Sequence, residues 1–373
     1  MEHDDSEFLA ISARRFNRLV SEGAATAEEF DGVAEFRATI SALPSIAPDR
    51  HAWAARCSSV RTDRRRSTGA SVRRSVLRHY GRALGSFDRA LGAAEFVNGA
   101  LIEAVRDWMD EQGGTGPEAL LGIERFPSGV LLKSLVLTGL HSQMVQLGAE
   151  VAHLLRGGHP EGATSRVRTL YETVLKTVLI CSDQSPGGYE LAERYYVSSL
   201  VEANGKERLA NGPIDEDARE LRDAAVAAWG PQFFSTEHNW AAPATGDPLK
   251  KRVTFSDIEE CLGAGPVSHI YKEANRDVHA GPTKVINAAD FSVPYLYDSR
   301  PAFDVGATGR AGHAAAFLIA EGTLEVLRRV TSDLRQWDAA LAASEFLRLV
   351  SAAGTEFHRA GTAGRGLPRP EPA

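Results

Sequence analysis

Three side chains suited to phosphate chemistry, Asn275, Arg276 and His279, stand within one helical turn of each other. They belong to a run from Val267 to His279 that Pro266 opens and Gly281-Pro282 closes. On a helix, Val267, Ile270, Tyr271, Ala274 and Val278 form an apolar face, and Asn275, Arg276 and His279 crowd its polar flank. A histidine there can move the proton of a 2′-hydroxyl or of a leaving oxygen near neutral pH, while an arginine stabilises charge growing on phosphate oxygens. The same residues also suit a second role, capping or bridging helices near a C-terminus, where histidine is favourable. Both roles stay open. A further pair, Arg168 and Glu172, is spaced i, i+4, so the two side chains either bind each other or point together into a groove. Arg194 is a candidate third member. In the groove arrangement Glu172 would orient Arg276 or His279.

Other chemistries find less support. The histidines His141, His153, His159, His238, His269, His313 and His358 are scattered, and no Cys-x-x-Cys pair accompanies them, so neither a metal nor a cofactor is expected. A Gly-x-Ser-x-Gly elbow is absent. No Gly-rich loop follows a run of alternating β-branched residues, which argues against Rossmann and P-loop folds. A formal charge of −7 argues against a dedicated nucleic-acid coat protein, although local patches can be basic.

The elements that must position these residues are helical throughout. Phe87, Leu91, Ala94, Val97, Leu101, Val105 and Trp108 recur at threes and fours, and Val130 to Leu155 is apolar nearly all round, the pattern of a buried central helix. Val167, Leu170, Tyr171, Val174, Leu175 and Val178 mark a second core helix. A further helix is expected from Tyr189 to about Leu209, and a more charged one from Asp215 to about Phe234. Asn239 to Arg252, with two prolines, reads as a long loop, and Thr254 as the N-cap of a short helix to Leu262. Two final helices are expected over about 308–337 and 338–357.

The expected architecture is all-α: a helical N-terminal region over 1–120, a multi-helix bundle over 121–360, and a disordered Gly/Pro tail over 361–373. Nine arginines, at 61, 64, 65, 66, 73, 74, 78, 82 and 89, surround a Ser-Thr-Gly-Ala-Ser stretch that reads as a flexible junction. That cluster suits RNA, anionic lipid or an acidic partner, or simply a solvated face. At 373 residues with 43% hydrophobic content a sizeable core is available. Three widely spaced cysteines, an acidic N-terminus and apolar runs well short of roughly 20 residues point to a cytoplasmic protein without a membrane span.

Four short motifs, in order, carry a resemblance: Arg168-Thr-Leu-Tyr-Glu172, Leu191-Ala-Glu-Arg-Tyr195, Asn239-Trp-Ala241 and Tyr271-Lys-Glu-Ala-Asn-Arg-Asp-Val-His279-Ala-Gly-Pro282. Together, over about 130–290, they resemble an uncharacterised bacterial family, domain of unknown function 5677. The resemblance implies an all-helical domain with Arg168, Glu172, Tyr271 and His279 at signature positions. More distantly, the chain is similar to HEPN helical bundles, whose nuclease members carry an arginine, four to six residues, and then a histidine. Here the interval between Arg276 and His279 is two residues. That similarity implies a metal-independent ribonuclease, or a nucleotide-directed toxin or defence protein, with its site assembled across a homodimer. His279 would be the acid/base, Arg276 the phosphate clamp, Glu172 and Arg168 their support, and Asn275, Tyr271 and Arg194 binding residues. The competing expectation is a non-catalytic helical module that binds RNA or a protein partner, with the Arg/Glu/His cluster holding the bundle together.

Overall fold

A computed structural model describes residues 48–111, 129–199, 216–264, 268–269, 271–272, 275, 304–334 and 338–363. The chain divides into two compact units, Met1–Thr68 and Gly69–Ala373. All regular structure among the described residues is helical, as the periodicity predicts. The helices are α1 (Pro48–Glu111), α2 (Gly129–Arg156), α3 (Pro160–Cys181), α4 (described over 190–199), α5 (Glu216–Trp229), α6 (Phe255–Cys261), α7 (Val305–Leu334) and α8 (Asp338–Ala363). The boundary expected near residue 120, the tail beyond 363 and the first 47 residues lie outside the described residues. No helix among the described residues is long and apolar enough to cross a membrane.

The Ser67-Thr-Gly-Ala-Ser71 stretch, expected to be a flexible junction, is instead helical inside α1. A single glycine costs a helix interior only about 1 kcal/mol, and neighbouring Ala and Arg are good helix formers. Val72 and Val76, buried immediately after it, continue the helix into the core. The aromatic and aliphatic residues read at threes and fours behave as expected: Tyr80, Phe87, Leu91, Val97 and Leu101 are buried on one face.

The core of the second unit is built around α7, which packs against α8, α3 and α2, while α2 and α3 pack on each other. α1 closes over this core. Its Tyr80 hydroxyl donates to the Val305 carbonyl at 2.5 Å, and Phe87 meets the Phe357 ring edge-on. α2 is buried along most of its length, in keeping with its apolar sequence. It carries one buried histidine. His141 Nδ1 lies 3.0 Å from Asn98 Oδ1, and Nε2 lies 3.0 Å from Thr323 Oγ1, so one imidazole ties α1, α2 and α7 together. Asn98 Nδ2 donates to Ser142 Oγ, leaving Asn98 Oδ1 as an acceptor. The ring therefore donates from Nδ1 and accepts at Nε2, as a neutral imidazole does. Burial agrees, lowering the His141 pKa to about 4.

The remaining elements follow from local chemistry. Pro160 occupies the first turn of α3, where its missing N–H costs nothing. Thr254 caps α6 through a reciprocal box: its Oγ1 accepts from Asp257 N–H, and Asp257 Oδ2 accepts from Thr254 N–H. The expected helix to about Phe234 ends at Trp229 and passes into a 3₁₀ turn, Pro231–Phe234. The expected loop after Asn239 is in part a second 3₁₀ turn, Asn239–Thr245, packed rather than solvated: Asn239, Trp240, Ala241 and Ala242 are buried. α8 continues past the expected end near Phe357 to Ala363.

Close packing between α7 and α8 depends on Gly312. A Cβ placed there would fall well inside van der Waals contact with the Phe357 ring. Gly312→Ala is expected to lose about 1–3 kcal/mol of stability, as overpacking a rigid core does. Reversible denaturant unfolding measures this; an unchanged midpoint would mean that α8 simply slides to make room.

Candidate functional site

The polar edge of α3 is where the signature residues meet. Arg168 and Glu172, one turn apart, pair at 3.1 Å, each side chain 26% exposed. The Arg168 Nη2 also donates to the Tyr271 hydroxyl at 3.2 Å, and the guanidinium lies over the Tyr271 ring at 5.0 Å from its centre. Burial opposes the charge on Arg168, but the Tyr271 hydroxyl and the Glu172 carboxylate outweigh it and raise the pKa. The ring of Tyr271 packs in turn on Phe255 and Tyr171. The Tyr171 hydroxyl, on the buried side of α3, donates to Glu259 Oε1 at 2.8 Å. Burial, then the bonded carboxylate, push the Tyr171 pKa upward, so this phenol stays protonated. One cation and three aromatic rings thus fasten α3, α6 and the helical residues around Tyr271.

His238 extends this cluster. Its ring lies 5.9 Å from that of Phe255, its Nε2 is 3.2 Å from Glu237 Oε1, and its buried Nδ1 has no hydrogen-bond partner among the described residues. Burial lowers its pKa; Lys176 adds to that effect, while Glu237 and Glu172 oppose it. Arg168, Glu172 and Lys176 stand on successive turns of one edge of α3, and the latter two influence His238 electrostatically.

The next residue, Asn239, is 1% exposed and satisfies a whole irregular segment. Its Nδ2 lies within hydrogen-bond distance of the Gln232 carbonyl at 2.6 Å, Ser235 Oγ at 2.8 Å and the Lys250 and Lys251 carbonyls at 3.2 Å. Its Oδ1 accepts from Thr236 Oγ1 and from the Val253 backbone N–H. Arg194 lies in this region rather than beside Arg168. Its Nε donates to the Trp240 carbonyl at 3.0 Å, its Nη1 to Glu190, and its guanidinium lies over the adjoining rings of Trp229 and Phe233. The four motifs therefore meet in pairs, the first with the last and the second with the third.

Sequence reasoning missed a second buried polar cluster. Lys133 on α2 is 1% exposed, and its Nζ donates to the Gly188 carbonyl at 2.5 Å. Gly188 holds φ +70°, and a Cβ there would approach the Arg329 guanidinium at 2.8 Å, so a side chain at this turn would be strained and would displace Arg329. Asp183 caps the start of α4 by accepting from the backbone N–H groups of Ser185 and Leu191. Glu193, also buried, accepts from Gly129 N–H at 3.2 Å, while its Oε2 has no hydrogen-bond partner among the described residues. Burial first, then Glu190 and Asp183, raise the Glu193 pKa to about 7 against the Gly129 bond. Nearby, Cys181 directs its thiol to the Glu325 carbonyl, and burial pushes its pKa up to about 12. A lone lysine inside the apolar run of α2 was the available signal.

The structure thus brings Arg168, Glu172 and Tyr271 together and places Arg194 elsewhere. Asn275 is helical, and its buried Oδ1 has no hydrogen-bond partner among the described residues. Arg276 and His279 lie outside the described residues. Among the described residues no group of three or more His, Cys, Asp or Glu is arranged to hold a metal ion.

Residues 134–290 match the model of DUF5677, described as a family of unknown function, which supports the family resemblance over that segment. No curated protein and no solved structure matches the chain.

Two outcomes follow from these clusters. Tyr271→Phe keeps the ring but removes the Arg168 bond, and should cost about 1 kcal/mol. Arg168→Ala, which also removes the ion pair and the stacking, should cost more in the same unfolding assay. Glu193 gives a pH signature. Its carboxyl titrates at about 7 when folded against an ordinary 4.5, so across that interval the folded state holds more protons than the unfolded state. Stability therefore falls as pH rises from 4.5 to 7. Glu193→Gln should remove that slope, and a wild-type-minus-variant difference that is flat across this window would refute the assignment.

Proposed function

We propose that the matched domain is a non-catalytic helical module that binds a protein partner, with the Arg168-Glu172-Tyr271 cluster serving to hold the Tyr271 helix in place. The observation that carries this reading is the state of Arg168: its guanidinium is shared between a carboxylate, a phenol and an aromatic face. Two of its five N–H donors and one flat face are committed within the chain and the Glu172 carboxylate already offsets its charge, which weakens it as a phosphate clamp. The edge along α3 is also of mixed sign, Arg168, Glu172 and Lys176, with Glu237 near His238, and the chain carries a net charge of −7. RNA binding would call for clustered, uncommitted cations. A mixed edge beside aromatic side chains suits a protein surface better.

A second reading, the metal-independent ribonuclease, keeps one specific support. Asn275 Oδ1 is buried without a partner among the described residues, and His279 follows it by four positions. A buried amide oxygen of this kind calls for a donor, and a ligand is one source. On this reading His279 is the acid/base, Arg276 the phosphate clamp, and Glu172 with Arg168 their support.

Incubation of the purified protein with single-stranded and structured RNA in the presence of EDTA separates the two. The module reading expects no cleavage, and expects Glu172→Ala to lower the melting temperature because it strands Arg168. Metal-free cleavage that disappears in His279→Ala, in a variant with wild-type melting temperature, would overturn it in favour of the nuclease.

A further inference from the structure

The face of α1 turned away from the core is unusual for a solvated helix. At 100° per residue, the buried residues Val76, Tyr80, Phe87, Ala94 and Leu101 define one side, and Gly81, Gly85, Gly92, Phe96 and Gly99 fall opposite them. A Cβ added at any of these four glycines would meet nothing within 4 Å. No contact within the described residues therefore requires a glycine there, although glycine weakens a helix relative to alanine. Phe96, in the middle of the stripe, is 68% exposed, with Leu77 at 48% and Ile102 at 41% along its border.

Charge along the same helix says what covers it. Over 73–89 the exposed charged residues are Arg73, Arg74, Arg78, Arg82 and Arg89 against Asp88 alone. Over 95–110 they are Glu95, Glu103, Asp107 and Asp110 against Arg106 alone. Arg82 and Asp88 also reach Glu356 and Arg156 within the chain, leaving most of the asymmetry uncompensated. A helix that is basic in one half and acidic in the other is complementary to a copy of itself running the opposite way. Parallel pairing would place arginines against arginines.

We infer that residues 74–110 of α1 are the interface of an antiparallel, two-fold homodimer centred on Gly92. In this register Gly92 faces its own copy, Gly85 faces Gly99, and Arg74 faces Asp110. Arg78 falls opposite Arg106, with Asp107 the adjoining residue and Glu103 about one turn away. Phe96 inserts over the partner's Gly85–Gly92 interval, where absent side chains leave room for a ring. The glycines allow the two backbones to approach closely, and the two-fold axis makes each contact occur twice. The contact line, 37 residues counted inclusively, is about 55 Å long, enough for a standard-size interface when flanking side chains are included. This dimer does not depend on the function proposed above; its arrangement holds for a binding module or an enzyme alike.

Sedimentation and light scattering on the full chain test it. The wild type should run at twice 40.2 kDa. Gly92→Leu should weaken dimerisation at least tenfold while leaving the melting temperature of the monomer unchanged or higher, because the position is open and leucine is a better helix former. Register is read by crosslinking in a background with Cys57 and Cys261 replaced by serine. A mixture of Gly85→Cys and Gly99→Cys chains should form the mixed disulfide, and neither variant alone should link. A wild type that stays monomeric at about 100 μM, a concentration that populates even weak interfaces, overturns the proposal. So does a dimer indifferent to Gly92→Leu, or one in which Gly85→Cys links to itself.

Discussion

The fold of the matched segment depends on one carboxamide. Between α5 and α6 the backbone is mostly irregular, and irregular backbone carries N–H and C=O groups that no helix ladder satisfies. Asn239, buried among them, offers its amide to carbonyls at residues 232, 250 and 251 and accepts from the N–H of residue 253. This closes the segment on itself. It also sets Trp240, whose carbonyl holds Arg194 and whose ring meets Tyr195. His238, one residue earlier, faces the aromatic cluster over α3. The two pairs of motifs are therefore two sides of one local structure, joined at adjacent residues.

Buried charge is handled in two different ways in this molecule. On the α3 edge the cation is shared between the Glu172 carboxylate and the hydroxyl and ring of Tyr271, and its side chain stays partly exposed. At the start of α2 the lysine is almost wholly enclosed and bonds to a carbonyl presented by a glycine turn. Glu193, bonded to the first residue of the same helix, accepts one backbone bond with one oxygen and leaves the other unmatched among the described residues. This second arrangement is closed, and its pH sensitivity belongs to the stability of the bundle.

Much of the fold was legible because helical periodicity is a local signal. Val167 to Leu179 could be placed on one face by spacing alone, Thr254 could be read as a cap from its acid three residues on, and the Arg168-Glu172 pair is set by a single turn. What stayed hidden depends on partners distant in sequence or on backbone irregularity. Asn239 was noticed only as part of a motif, since its bonds follow no period. Arg194 was grouped with Arg168 by residue type, whereas packing commits it to Trp229 and Phe233. Lys133 finds its carbonyl 55 residues away. The Ser-Thr-Gly-Ala-Ser stretch differs for the opposite reason: its composition signals a junction, but its local helix cost is small and the buried valines just beyond it continue the helix.

The enclosure of Cys181 has a consequence for redox chemistry. Thiol exchange, oxidation and alkylation all proceed through the thiolate, and a thiol held at a pKa of about 12 supplies almost none of it at neutral pH. The wall of side chains that keeps α3 against α7 also denies peroxide and disulfides a route to the sulfur. Cys261, though exposed, is pushed the same way by partial burial and by Asp257 and Glu260. The bundle thus carries the Cys181 thiol as a packing atom, while at the exposed Cys261 the neighbouring carboxylates disfavour the thiolate.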